Sequence, residues 1–130
     1  KIPIYGLGKN IRDWIFVLDH CDAILKVLFK GKKGDSYNIS ANTEIDNLRI
    51  VKKILKIMGK SEDLIEFIVD RPGHDFRYSL NSNKIRKTLS WKPAHKLEEG
   101  VRQTVQWYQQ NKEWAERISD NAFTISWKTR

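Results

Sequence analysis

The stretch "LIEFIVDRPGHD", residues 64–75, changes character halfway along. Its first half is rich in β-branched residues and bounded by turn residues, which predicts a short strand. Its second half places an arginine, a histidine and two aspartates on one bend. Pro72 and Gly73 suit the two central positions of a type II turn, because proline fixes φ and glycine tolerates a positive φ. We therefore expect a strand that ends in a rigid turn presenting Arg71 and His74.

Three further extended segments are predicted on the N-terminal side of this stretch. "KIPIYG" (1–6) contains a proline that is compatible only with the beginning or the edge of a strand. "IRDWIFV" (11–17) alternates in side-chain character, as a short strand or extended arm does. "SYNIS" (36–40) is predicted as a short buried strand. The glycines at positions 6 and 8 indicate a loop between the first two segments.

Helical patterns fill most of the remaining sequence. We expect the first helix to be capped by Asp19 and to run to about residue 30. The second is expected to begin at Asp46 or Asn47 and to end at Gly59. "NSNKIRKTL" (81–89) predicts a short third helix, and a fourth follows it. The predicted inner faces are Ile24, Val27 and Leu28 in the first helix, Leu48, Val51, Ile54, Leu55 and Met58 in the second, and Leu97, Val101, Val105 and Tyr108 in the fourth.

This order of elements predicts a small mixed α/β domain of short strands and about four helices. The chain of 130 residues has the usual size of one domain with one hydrophobic core. Residues 119–130, "SDNAFTISWKTR", lose the helical periodicity, and we expect a loose tail there. The domain is accordingly assigned to residues 1–118.

The composition favours a globular protein that attracts anions. There are 24 Lys and Arg against 16 Asp and Glu, a net charge of +8. This balance suits phosphorylated ligands, although basic residues scattered over helices are equally typical of a solvated surface. No apolar run approaches the ~20 residues of a membrane helix, and no nucleic-acid motif is present, so we expect neither partner. A single cysteine, Cys21, and the lack of a leader pattern favour the cytoplasm.

Several motifs that suggest a dinucleotide site, a metal site or a catalytic group do not meet the requirements of those sites. "GLGKNI" (6–11) places Ile11 where a dinucleotide fingerprint needs its third glycine, and an extended segment rather than a helix follows it. The three histidines are far apart in sequence, so no metal-ligand spacing recurs. Two Tyr-x-x-x-Lys pairs, at 5–9 and 108–112, are interpreted as coincidence. Cys21 is expected to be a small core residue.

The bend and the glycine loop carry the remaining chemistry. An arginine on a rigid turn is well suited to bidentate phosphate recognition. A structural pair between Arg71 and either Asp70 or Asp75 explains the same residues equally well, so both interpretations stay open. The loop offers the flat ring of Tyr5 and is followed by Arg12. Two arginine-bearing loops with an aromatic side chain suit a nucleoside diphosphate better than a single carboxylate.

These segments together resemble a known family. "PIYGLGKNIRDWIFVLDHCDAILKVL", "DRPGHDFRYSLNSNKIRKTLSWKP" and "LEEGVRQTVQWY" are similar to the C-terminal part of the dTDP-glucose 4,6-dehydratases, which are extended short-chain dehydrogenases/reductases. The resemblance runs from about residue 2 to residue 115. It implies that this chain is the substrate-binding half of a lyase. The family's Rossmann half, which holds NAD, the Tyr-x-x-x-Lys pair and the acid/base carboxylates, is expected to be absent.

The resemblance also implies a reaction and a site. In the family, NAD oxidises the sugar at C4, water is eliminated across C5 and C6, and the hydride returns to C6, so this chain is expected to be catalytically incomplete. The parent enzyme is expected to be a homodimer that binds dTDP-glucose for deoxysugar synthesis, and this chain a monomer. An epimerase, a decarboxylase, a UDP-sugar dehydratase and a basic binding module remain as alternatives. The implied substrate contacts are Pro3, Ile4, Tyr5, Arg12, Asn47, Asp70, Arg71, Pro72, Gly73 and His74.

Overall fold

A computed structural model describes residues 1–122, with side chains to residue 118. The predicted mixed α/β class is confirmed, and the described residues form five α-helices where about four were expected. The strands are short and separated by helices. In chain order the elements are β1 (Ile2–Tyr5), β2 (Ile11–Asp13), α1 (Val17–Lys30), β3 (Glu44–Asp46), α2 (Asn47–Met58), a 3₁₀ turn (Glu62–Leu64), β4 (Ile65–Ile68), α3 (Asn83–Leu89), α4 (Leu97–Gln110) and α5 (Lys112–Ala122).

The strands of the described residues form two small pairs. Strands β1 and β4 run parallel, with Ile2 opposite Ile65 and Tyr5 opposite Ile68. Strands β2 and β3 run antiparallel. The strands predicted over 1–6, 11–17 and 64–69 are therefore confirmed in shortened form. The "SYNIS" strand is wrong: residues 36–40 form no strand, and the strand of this region lies at β3 instead.

Two packing regions of the described residues hold the helices together. The first joins Ala23 of α1, Ile85 of α3 and Trp91, all at 0–1% exposure. The second lies between α2 and α4, where Ile50, Leu55 and Val105 are buried. In this region α2 begins at the predicted cap, because the Asp46 carboxylate accepts a hydrogen bond of 2.7 Å from the Arg49 amide. The helix ends at Gly59, as predicted.

Helix α1 differs from its prediction at its N-terminus. It begins at Val17, and Asp19 does not cap it. Asp19 is buried and accepts hydrogen bonds from the Ala94 and His95 amides and from His95 Nδ1. Its burial acts to raise the pKa, but these hydrogen bonds outweigh the burial, and the Asp19 pKa lies below its usual value. The residue thus ties α1 to the segment before α4.

The predicted inner face of α1 is largely an outer face. Ile24 and Leu28 are exposed, as is Cys21, which is therefore not a core residue. The helix is apolar on more than one side, and the small Ala23 rather than a large aliphatic residue meets the core.

Two residues predicted on inner faces of helices are exposed: Met58 in α2 at 41% and Tyr108 in α4 at 50%. The backbone of residues 119–122 continues α5, and the domain boundary at residue 118 stays a prediction. The rest of the predicted tail, 123–130, lies outside the described residues. Within residues 1–122 no helix has both the length and the apolar character that crossing a membrane requires.

Candidate functional site

The parallel pairing of β1 and β4 places the glycine loop beside the polar bend. The carboxyl ends of parallel strands meet at one edge, which is where α/β proteins commonly bind ligands. The loop follows β1 and the bend follows β4, and the Gly6 amide continues the pairing by donating to the Ile68 carbonyl at 2.9 Å. Two segments about sixty residues apart thus form one surface.

Gly6 is the point of closest approach between the loop and the bend. Its φ is +55°, and a Cβ at this position would lie 2.9 Å from Asp70 Oδ2. Any larger residue would collide with the aspartate and would also be strained in the left-handed region. The glycine therefore permits contact with the protein's own bend.

The bend has the predicted turn at its centre. Gly73 has a φ of +67°, as the third residue of a type II turn requires. Asp70 Oδ1 accepts hydrogen bonds from the Arg71 amide at 2.9 Å and from His74 Nδ1 at 2.7 Å. The hydrogen bond from His74 is the main reason that the Asp70 pKa lies below its usual value. The turn is closed by these contacts, with His74 folded inward.

Arg12 joins β2 to the bend. Its Nη2 lies 3.1 Å from His74 Nε2 and donates to the Asp75 carbonyl at 3.0 Å. Its Nη1 donates to the Ile11 carbonyl at 2.7 Å, and the guanidinium lies 4.5 Å from the centre of the Tyr78 ring. Arg12 therefore connects β2 to the bend, and both of its terminal nitrogens are hydrogen-bonded to protein.

Arg71 is arranged differently from Arg12. It is exposed, and its guanidinium lies 5.9 Å from the centre of the Tyr5 ring. Among the described residues, that guanidinium makes no hydrogen bond or ion pair with protein. Asp70 is paired with His74, and Asp75 accepts from the Tyr78 hydroxyl. The structural pair of Arg71 with Asp70 or Asp75, one of the two open interpretations, is not formed.

Tyr78 lies between the bend and Arg12, whose guanidinium contacts its ring. Its pKa is raised, chiefly by the hydrogen bond to Asp75, while the charges of Arg12 and Arg71 both act to lower it. Both guanidinium groups thus lie within electrostatic range of one hydroxyl. Sequence reasoning did not select this tyrosine, although its spacing of three residues from Asp75 places it next to the bend.

The remaining expected contacts lie at the border of this surface. Pro3 is exposed in β1, whereas Ile4 is 4% exposed, so its side chain belongs to the core. Asn47 opens α2, and its amide donates to the Asn10 carbonyl at 3.1 Å. The structure thus places Asn47 against the glycine loop and leaves the Ile4 side chain facing away.

The surroundings of the glycine loop differ from those of a dinucleotide fingerprint. The glycine loop continues into β2, so no helix begins after it to meet a pyrophosphate. In the part of the chain with described side chains, no group of three or more His, Cys, Asp or Glu residues could hold a metal. What this surface offers is positive charge, an aromatic ring and a rigid turn.

Comparisons with known proteins agree with the resemblance found in the sequence. The sequence model of the family described as GDP-mannose 4,6 dehydratase matches residues 1–104. A dTDP-glucose 4,6-dehydratase from Xanthomonas campestris is 41% identical over 95% of this chain, which spans 38% of that relative.

Solved structures show the same partial coverage. The dTDP-glucose 4,6-dehydratase of Bacillus anthracis, in complex with NAD, is 46% identical and superimposes with a TM-score of 0.82 over 88% of this chain and 36% of its own. That of Streptomyces venezuelae, with NAD and TYD bound, is 36% identical with a TM-score of 0.83 over 88% and 35%. The sequence resemblance is therefore confirmed, and the chain spans little more than a third of these relatives.

Proposed function

Because the chain belongs to the GDP-mannose 4,6 dehydratase family, we propose that it is the nucleotide-sugar-binding part of a dTDP-glucose 4,6-dehydratase. The substrate would be dTDP-glucose, as the names of the relatives at 41% and 46% identity suggest. The chain binds the diphosphate and nucleoside end, and the lyase reaction requires the part of the relatives that this chain does not cover.

One observation carries this proposal: the exposed guanidinium of Arg71, on the turn that Arg12 contacts through His74, has no hydrogen-bonded partner among the described residues. A guanidinium fork matches a phosphate in shape and charge. Arg71 supplies that fork on a turn that fixes its direction. Arg12, whose terminal nitrogens are engaged, supplies charge from a fixed position.

The neighbouring residues complete the proposed binding surface. Tyr5 offers a flat face for the nucleoside. The backbone of Pro3 and Ile4 and the first residue of α2, Asn47, border it. The turn residues Pro72 and Gly73 fix the position of Arg71 and do not contact the ligand themselves. NAD, which supplies oxidation and reduction in this family, is held elsewhere in the parent enzyme, since the glycine loop here leads into a strand.

An apolar helix surface supports the view that this domain packs against further polypeptide. Monomeric proteins rarely expose large contiguous apolar patches. Helix α1 exposes six large apolar side chains to solvent: Val17, Leu18, Ile24, Leu25, Leu28 and Phe29. A domain that packs against the rest of a dehydratase would cover such a face.

The test compares ligands on the purified chain by calorimetry. We expect dTDP-glucose to bind more tightly than UDP-glucose, and inorganic phosphate to bind more weakly than either. A preference for UDP-glucose would assign the chain to an epimerase, a decarboxylase or a UDP-sugar dehydratase instead. Binding of random oligonucleotides that weakens steeply with salt, without sugar-nucleotide binding, would point to a basic binding module.

A further inference from the structure

We propose that His74 is a positioning residue that holds the Arg12 guanidinium in the site by accepting a hydrogen bond on Nε2. This inference rests on the proposed function only for the identity of the ligand. The contacts that carry it lie within the protein: Asp70 to His74 Nδ1 at 2.7 Å, and His74 Nε2 to Arg12 Nη2 at 3.1 Å.

The two partners of His74 determine which ring nitrogen carries the proton. An ionised carboxylate only accepts hydrogen bonds, and the hydrogen bond from His74 keeps the Asp70 pKa below its usual value. A guanidinium only donates. Both contacts are satisfied when Nδ1 carries the proton and Nε2 keeps its lone pair, which is one tautomer of the neutral ring. Asp70 thus orients His74, and His74 in turn orients Arg12.

The other neutral tautomer would break this arrangement. A proton on Nε2 would face the N–H groups of Arg12, so that two donors would meet and no hydrogen bond could form. Within the described residues, the side chains in contact with the ring are Asp70 on its own bend, Arg12 from β2, and Tyr5 from β1, with its ring centre at 6.0 Å.

His74 acts through Arg12 and does not itself form the outer surface. Its side chain is 5% exposed. The other hydrogen bonds of the Arg12 side chain go to backbone carbonyls of Ile11, Asp75 and Phe76. Among the described residues, His74 is therefore the one side chain that bonds this guanidinium, and its substitution tests the role directly.

The test uses two amide substitutions and the probe dTDP-glucose. His74→Gln can place an amide oxygen where Nε2 lies, whereas the shorter His74→Asn reaches only the Nδ1 position. We expect His74→Asn to weaken binding roughly three- to tenfold, less than the loss of a direct hydrogen bond to a charged phosphate because His74 acts only through Arg12, and His74→Gln to recover most of it. His20→Asn, on the outer side of α1, is the matched control. If His74→Gln and His74→Asn lower the melting temperature and the affinity by the same amounts, the residue contributes only packing and the proposal is overturned.

A spectroscopic measurement keeps the test independent of the ligand. Nitrogen-15 NMR of the labelled chain reports the tautomer of His74 and the rotation of the Arg12 guanidinium. We expect the Nδ1–H tautomer and a slowly rotating Arg12, and faster rotation of Arg12 in His74→Asn. An Nε2–H tautomer, or a rotation of Arg12 that His74→Asn leaves unchanged, would overturn the proposal. If dTDP-glucose fails to bind while the tautomer and the slow rotation are observed, the ligand assignment falls and the positioning role stands.

Discussion

Replacing Arg71 with alanine removes a guanidinium that makes no hydrogen bond or ion pair among the described residues and lies 5.9 Å from the centre of the Tyr5 ring. An exposed cation–π contact contributes about 0.5–1 kcal/mol, so the loss of stability should stay near 1 kcal/mol and the melting temperature should fall by only a few degrees. A hydrogen bond to a charged phosphate contributes about 1.5–3 kcal/mol, which corresponds to roughly a tenfold to hundredfold loss of affinity. Affinity should therefore change far more than stability.

The assay measures both quantities on the same preparation, dTDP-glucose binding by calorimetry and unfolding by circular dichroism. Arg71→Lys is the matched variant, because an ammonium keeps the charge and loses the fork, and it should recover part of the affinity. The reasoning is refuted if Arg71→Ala lowers stability by several kcal/mol while the folded protein binds dTDP-glucose normally. That result would make the bend a structural element alone.

Three other outcomes follow from the same contacts. Arg12→Ala should lower the melting temperature more than Arg71→Ala, because it removes the hydrogen bonds to the bend. Equal shifts would contradict the conclusion that Arg12 stabilises the bend. Glu44 has its pKa lowered to about 2 by hydrogen bonds from Arg77 and Ser79. This stabilising effect is complete above the usual pKa of 4.5 and is lost as the pH falls through about 2, so melting temperature should drop more steeply with acid in the wild type than in Glu44→Gln. Finally, the purified chain should neither bind NAD nor form a 4-keto-6-deoxy sugar. Detection of that product by mass spectrometry would contradict the proposal that the lyase reaction requires the part of the relatives that this chain does not cover.

The features that were predictable from the sequence depend on neighbours in the chain. Asp46 caps α2 through an amide three residues away, and Gly59 ends the helix with its own backbone. The strand before the bend and the turn at Pro72 and Gly73 are likewise set by residues within a few positions. Such signals remain readable without knowledge of the tertiary structure.

The features that were missed depend on partners far along the chain. Asp19 lies at the start of a helix, but its carboxylate bonds residues 94 and 95, so its cap-like position was misleading. Helix α1 has apolar residues on more than one side, and periodicity alone does not select the side that meets Ile85. The same holds in the site, where Arg12 could be identified as a candidate but its engagement by His74 and the Asp75 carbonyl could not.

The parallel pairing of β1 with β4 determines when the site can exist during synthesis. Ile2 pairs with Ile65 across about sixty residues of intervening chain, and contacts between such distant residues form late because loop closure must precede them. Tyr5 and Arg12 leave the ribosome long before Arg71 does. A nascent chain that stops short of the bend has the aromatic ring and one guanidinium, but not the complete surface that we propose to hold a diphosphate. Ligand binding would thus report that this part of the chain has been completed and folded.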